Sequence, residues 1–273
     1  MNTVRTCRTD AGTTLHYRVS GEGRPVLLLH GFGEDGSIWE HMEKELRNYF
    51  RVYIPDIPGS GLSEMLPSNP GSTPSLEQLA LTVKALIDKE QLPPLPVIGH
   101  SMGGYLALAL AETHPQLVTK LGLFHSTARA DSTERKAMRT KALELIERKG
   151  AAWFLREVTP NNYSTGWREK NPETMRSILD KLSSFSDAAI IGYYQAIMNR
   201  PDRSDLLKKF SGPVLFIAGK EDQAVPLQQT LSECWLPRIS QISILPETAH
   251  TGMLEEPERS GAALLRFLQE LEP

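Results

Sequence analysis

The sequence predicts an α/β fold: a mostly parallel central sheet flanked by helices, with an inserted all-helical segment. Three observations carry this reading. Short apolar runs that do not alternate are separated by helical stretches, the pattern of a parallel sheet covered on both faces. The first two strand candidates, TVRTCRTD and TTLHYRV, alternate instead and meet at Ala11-Gly12, which reads as a hairpin. Residues 127–205 hold several amphipathic helical stretches and no convincing strand.

The elements follow in order. PVLLLHGF (25–32) is a buried strand, and a helix follows around Ile38 to Asn48. RVYIPDIPG (51–59) is the next strand and leads into a Pro/Gly/Ser-rich loop. Ser75 opens a helix to about Gln91, because Leu76, Leu79, Ala80, Val83, Leu86 and Ile87 keep a 3.6-residue spacing. LPVIGHS (95–101) is strand plus turn and runs into the helix GYLALALAETHP, which Pro115 ends. KLGLFHS (120–126), VLFIAGKED (214–222) and QISILP (241–246) are further strands, and a last helix starts near Pro257. The insertion divides into helical stretches at 133–149, 150–158, 172–183 and 187–199. This assigns 1–126 and 206–273 to the core and 127–205 to a helical cap.

Composition bounds the function without naming it. The 273 residues carry 30 Lys+Arg and 33 Asp+Glu, a formal charge of -3. This balance gives no electrostatic case for nucleic acid as a partner. The longest strongly apolar stretch, Pro25 to Phe32, is far below the ~20 residues of a membrane span. MNTVRTCRTD has no apolar secretory core, so a cytoplasmic location is expected. Cys7 and Cys234 stand at opposite ends of the chain, which excludes a disulfide framework and a Cys-rich metal site. The insertion holds 14 Lys+Arg against 11 Asp+Glu, so it is +3 while the remainder is -6. Ordinary solvated helix faces account for that; a lid favouring anionic substrates is the sharper alternative.

The most informative segment is Gly99-His100-Ser101-Met102-Gly103, a G-x-S-x-G motif between a strand and a helix. A serine hydroxyl is a weak nucleophile, so it must be exposed beside a base and an anion-stabilising site. A sharp strand-to-helix turn lifts it there and needs glycines where backbone meets backbone. The Met102 N–H, at the helix start, is one candidate oxyanion donor. The loop His30-Gly31-Phe32-Gly33 after an adjacent strand offers the second, the Phe32 N–H.

These motifs, with Asp56-Ile57-Pro58-Gly59-Ser60-Gly61-Leu62-Ser63, Gly219-Lys220-Glu221-Asp222 and Ala249-His250, resemble the α/β-hydrolase family over nearly the whole chain. The resemblance implies a triad in the order nucleophile, acid, histidine: Ser101, Asp222 and His250. It also implies an optional helical cap, where 127–205 falls. Glu221 adjoins the acid but should face differently, and the loop His125-Ser126-Thr127-Ala128, where some relatives place the acid, has no carboxylate. His100 should point away from the nucleophile. The 56–63 loop is read as structural, shaping the rim.

The expected reaction is hydrolysis of a small carboxylic ester or similar acyl substrate through an acyl-enzyme, with no cofactor and no metal. No G-x-G-x-x-G and no H-E-x-x-H appear. Two other readings stay open: a C–C bond hydrolase or lyase with the same triad, and a ligand receptor with a vestigial site. Phe32, Met102, His125, Trp153 and Tyr193 are the candidate pocket residues. The other cap aromatics Phe154 and Tyr194, with Met198, could line the same apolar pocket under the cap.

Overall fold

The computed structural model describes residues 3–67 and 73–270; part of the predicted Pro/Gly/Ser-rich loop, residues 68–72, lies outside them. Eight strands form one sheet: β1 (Thr3–Arg8), β2 (Thr14–Ser20), β3 (Pro25–Leu29), β4 (Arg51–Pro55), β5 (Leu95–His100), β6 (Val118–Phe124), β7 (Val214–Gly219) and β8 (Ser240–Leu245). Their order across the sheet is β1-β2-β4-β3-β5-β6-β7-β8. β1 and β2 pair antiparallel, as do β2 and β4; β4 through β8 pair parallel.

The non-alternating strands are explained by two cores. Leu27, Leu29, Val97, Leu121, Leu123 and Phe216 face one side, where α2 (Leu76–Lys89) and α3 (Met102–Thr113) pack. Val26, Leu28, Ile98, Leu215 and Ile217 face the other, under α1 (Glu40–Leu46) and α12 (Pro257–Glu270). Successive strand residues point to opposite faces, so a strand covered on both must be apolar at every position. The edge strand β8 departs from this and leaves Ile242 and Ile244 exposed. Ser75 caps α2 through a reciprocal box with Gln78, worth about 1 kcal/mol.

Between β6 and β7 lie α4 (Thr133–Lys149), α5 (Ala151–Val158), α6 (Thr165–Lys170), α7 (Pro172–Lys181), α8 (Asp187–Met198) and α9 (Ser204–Lys209). No strand interrupts them. The helix α6 is too short and polar to show a clear period in the sequence. The expected cap boundary after residue 205 cuts through α9. The neck of the insertion closes where the Arg203 N–H donates to the Ala128 carbonyl at 2.7 Å. Two short helices, α10 (Leu227–Leu231) and α11 (Gly252–Glu255), sit in the loops after β7 and β8.

The parallel strands end along one sheet edge, so the loops after β3, β5, β6, β7 and β8 gather there. Open parallel sheets place ligands at this edge. The cap lies over it, with the Tyr193 hydroxyl donating to Pro58 O at 2.7 Å and the Trp167 Nε1–H to Leu254 O at 3.2 Å. No helix among the described residues is long and apolar enough to cross a membrane.

Candidate active site

Ser101 sits between β5 and α3 at φ 50°, ψ -114°. A non-glycine residue held there costs about 1–3 kcal/mol and persists only where its surroundings over-determine it. The Ser101 N–H donates to Phe124 O at 3.0 Å, and the Ser126 hydroxyl donates to Ser101 O at 2.8 Å. The glycines of the motif are required by close approach. A Cβ on Gly99 would lie 2.2 Å from the Gly103 carbonyl carbon, and one on Gly103 would lie 2.2 Å from Leu29 O.

The loop after β3 is tied down by its own histidine. The Ile57 N–H donates to His30 Nε2 at 2.9 Å, and His30 Nδ1 lies 2.9 Å from Gly31 O. Asp56 accepts from Gly36 N at 2.9 Å and from Leu62 N at 3.0 Å, so the 56–63 loop braces the same rim. Among the described residues, neither the Phe32 N–H nor the Met102 N–H meets a protein acceptor. Phe32 is half-buried and Met102 opens α3, where first-turn N–H groups have no intrahelical partner, so both donors are open to an acceptor from outside the backbone.

Asp222 and His250 come together from the loops after β7 and β8, with His250 Nδ1 2.8 Å from Asp222 Oδ2. Glu221, one residue earlier, points to solvent. Asp222 Oδ1 accepts from the Ala224 and Val225 N–H groups, each at 2.8 Å. A second ring shares Oδ2: His125 Nδ1 stands 3.1 Å away, while the Gly252 N–H donates to His125 Nε2 at 3.2 Å. Burial pushes His125 below the usual imidazole range, which suits a neutral donor. Burial alone would raise the Asp222 carboxyl, but His250 and His125 outweigh it and hold it well below the carboxylate range. One atom from each of these three residues lies within 4.8 Å of the others, as metal donors do. Their hydrogen bonds point both Nδ1 atoms at the same carboxylate oxygen, so a metal would have to displace them.

His100 does not turn away from this cluster. Its Nε2 donates to the His250 carbonyl at 2.8 Å and its Nδ1 lies 2.9 Å from Glu34 Oε2. Glu34 Oε2 also accepts from the Gly31 N–H at 2.7 Å. Burial disfavours charge on both groups, yet their mutual attraction prevails, raising His100 and lowering Glu34 from their ordinary values. The pair therefore stabilises the fold fully between the unfolded-state values of 4.5 for Glu34 and 6.5 for His100. Its contribution fades above that window, as His100 loses its proton, and below it, as Glu34 gains one. Glu34→Gln strands a buried charge and should cost about 3–5 kcal/mol, nearer the lower figure. Melting curves from pH 4 to 9 should show the gap to wild type widest inside the window. A gap independent of pH would show that the pair is not ionised.

Ser101, His100, His250, Phe32 and Glu34 line one cavity of about 140 Å³ whose roof comes from the cap, including Arg135, Arg139, Asn162 and Tyr194. Of the expected pocket residues, Phe32 and Tyr194 line it. The Met102 side chain begins α3 and turns into the core, away from the cavity lining. His125 lies behind Asp222. Trp153 packs at the cap surface under the Lys149 ammonium, 3.8 Å from its ring. Tyr193 points to the 56–63 loop, and its neighbour Tyr194, about 100° further around α8, takes the cavity position. Arg135 and Arg139 were missed, although their i, i+4 spacing marks one face of α4.

Residues 26–263 match the model of the alpha/beta hydrolase family. The chain belongs to that family. It is 26% identical over 264 residues to the pimeloyl-acyl-carrier-protein methyl ester esterase of Vibrio vulnificus, covering 93% of this chain and 98% of that one. It is 27% identical over 273 residues to the 2-hydroxy-6-oxononadienedioate/2-hydroxy-6-oxononatrienedioate hydrolase of Paraburkholderia phymatum, covering 95% and 93%. Among solved structures it resembles a thermophilic esterase from Thermogutta terrifontis, with a TM-score of 0.91 and 28% identity over 99% of this chain and 100% of that one. The chain is thus an enzyme of alpha/beta-hydrolase type.

Proposed function

We propose that this alpha/beta hydrolase cleaves small carboxylic esters through Ser101, His250 and Asp222. The observation that carries the reading is the meeting, in one cavity also lined by Phe32, of a strained serine and an Asp222-bound imidazole. Ser101 attacks the ester carbonyl as His250 Nε2 takes its proton. The Phe32 and Met102 N–H groups receive the oxyanion. His250 then protonates the leaving alcohol, and a water activated by the same ring releases the acid. Asp222 holds the Nδ1–H tautomer throughout. Without substrate the Ser101 hydroxyl makes no hydrogen bond among the described residues; catalytic bonds of this kind close in the substrate complex.

The cavity size favours short acyl chains. At about 140 Å³ it is well under the roughly 300–1,000 Å³ of pockets for drug-sized ligands. A panel of aryl esters of rising chain length, with thioesters, lactones and C–C cleavage substrates, tests the reading, with Ser101→Ala as control. Acetyl to hexanoyl esters should lead. A preference for long chains, or turnover confined to the C–C substrates, would overturn it.

A further inference from the structure

The roof of the cavity carries more positive charge than the fold requires. Arg135 and Arg139 stand one turn apart on α4, and both line the cavity that holds Ser101 and His250. Arg139 gives its Nε–H to Asp131 at 2.5 Å and lies over the Tyr194 ring, 5.2 Å from its centroid. Its four terminal N–H donors are not committed to any carboxylate among the described residues. Asp131 is itself shared, because Arg200 approaches its other oxygen at 2.9 Å. Arg200 is buried and fixed by the Arg129 and Ile197 carbonyls, so it serves the cap's own structure. One carboxylate therefore faces two guanidinium groups. Arg135 forms no ion pair among the described residues and meets only the neutral Gln223 carbonyl, at 3.3 Å. The opposing carboxylate in the cavity, Glu34, is matched by His100. Three guanidinium groups, Arg135, Arg139 and Arg200, are thus offset by the single carboxylate of Asp131, with Arg135 unpaired among the described residues and Arg139 sharing its partner at the cavity wall.

Half-buried guanidinium groups at a cavity wall bind carboxylates through short, charge-assisted hydrogen bonds. We infer that Arg135 and Arg139 form a carboxylate-binding subsite, so that the preferred substrates are short-chain esters bearing a second, ionised carboxylate group. This rests on the ester-hydrolase reading above and sharpens it. It also gives a specific role to the positive balance of the cap.

Two matched pairs of probes test it. One is 4-nitrophenyl hydrogen glutarate against 4-nitrophenyl pentanoate; the other is 4-butyryloxybenzoate against phenyl butyrate. They place the carboxylate on the acyl side and on the alcohol side. In at least one pair the anionic ester should be favoured in kcat/KM by about tenfold or more. That ratio should collapse in Arg139→Gln and in Arg135→Gln, persist in part in Arg139→Lys, and shrink as salt rises. The ratio normalises each variant against itself, and Arg135→Gln covers the case in which Arg139→Gln misfolds through loss of its Asp131 contact. Ratios at or below one in both pairs, or a ratio that neither substitution moves, would overturn the subsite. Cleavage of neither ester in a pair would instead count against the hydrolase reading. Calorimetric binding of monomethyl glutarate against methyl butyrate would then decide the subsite: equal or absent binding rejects it.

Discussion

Ser101→Ala should lower kcat on an aryl ester by about 10⁶-fold and abolish labelling by a fluorophosphonate. The size of the loss follows from the way the site is divided. The nucleophile and its base act as one unit, so removing either forfeits nearly the whole covalent route. What survives is the background that the Phe32 and Met102 donors give to a water attacking a bound ester, about 10³–10⁴ over the uncatalysed rate. The fold should not suffer. The Ser101 hydroxyl makes no hydrogen bond among the described residues, and the strained backbone is held by Phe124, Ser126 and the close packing at Gly99 and Gly103. A melting temperature near wild type with no covalent label is the expected pair of results. Undiminished labelling of the alanine variant would place the nucleophile elsewhere.

Asp222→Asn should cost about 10⁴-fold in kcat, and the surroundings of Asp222 say why. Its Oδ1 accepts two backbone N–H groups, from Ala224 and Val225. In the asparagine variant those donors fix the amide oxygen on that side and turn the NH₂ group toward the rings. Two Nδ1 atoms then face a donor where they had faced a carboxylate oxygen. His250 can meet it only by moving its proton to Nε2, where it can no longer accept one from Ser101. The loss should appear in kcat with little change in KM. A variant within tenfold of wild type would mean that Asp222 does not set the tautomer.

The parts of this site that depend on short stretches of chain were legible in the sequence. Ser101, the Phe32 loop, Asp222 and His250 each follow a strand that a run of Val, Leu and Ile announces, and parallel strands deliver their loops to one edge. The glycines around Ser101 were legible for the same reason, since the clash they avoid lies within a few residues. The Glu34–His100 pair was not, because it joins residues 66 apart. Nor was the link from His100 to the His250 carbonyl, which spans 150 positions. The cap residues were hardest. Its aromatics follow a helical period, but a period does not say which face is roof and which is packing. Tyr193 and Tyr194 show this: adjacent in sequence, one braces the rim and the other lines the cavity. His125, expected at the pocket border, is instead a second donor to the acid because β6 and β7 are neighbours in the sheet.

The peptide of His250 is gripped from two sides. Its carbonyl accepts from His100 in the core, and its N–H donates at 2.9 Å to the Asn162 carbonyl in the cap. The roof and the core are thus both fastened to the backbone of the residue that carries the proposed base. Any lifting of the cap at Asn162 must stretch that bond and so pull on the backbone that carries the imidazole. A cap raised at Asn162 and a base aligned for proton transfer would then exclude one another.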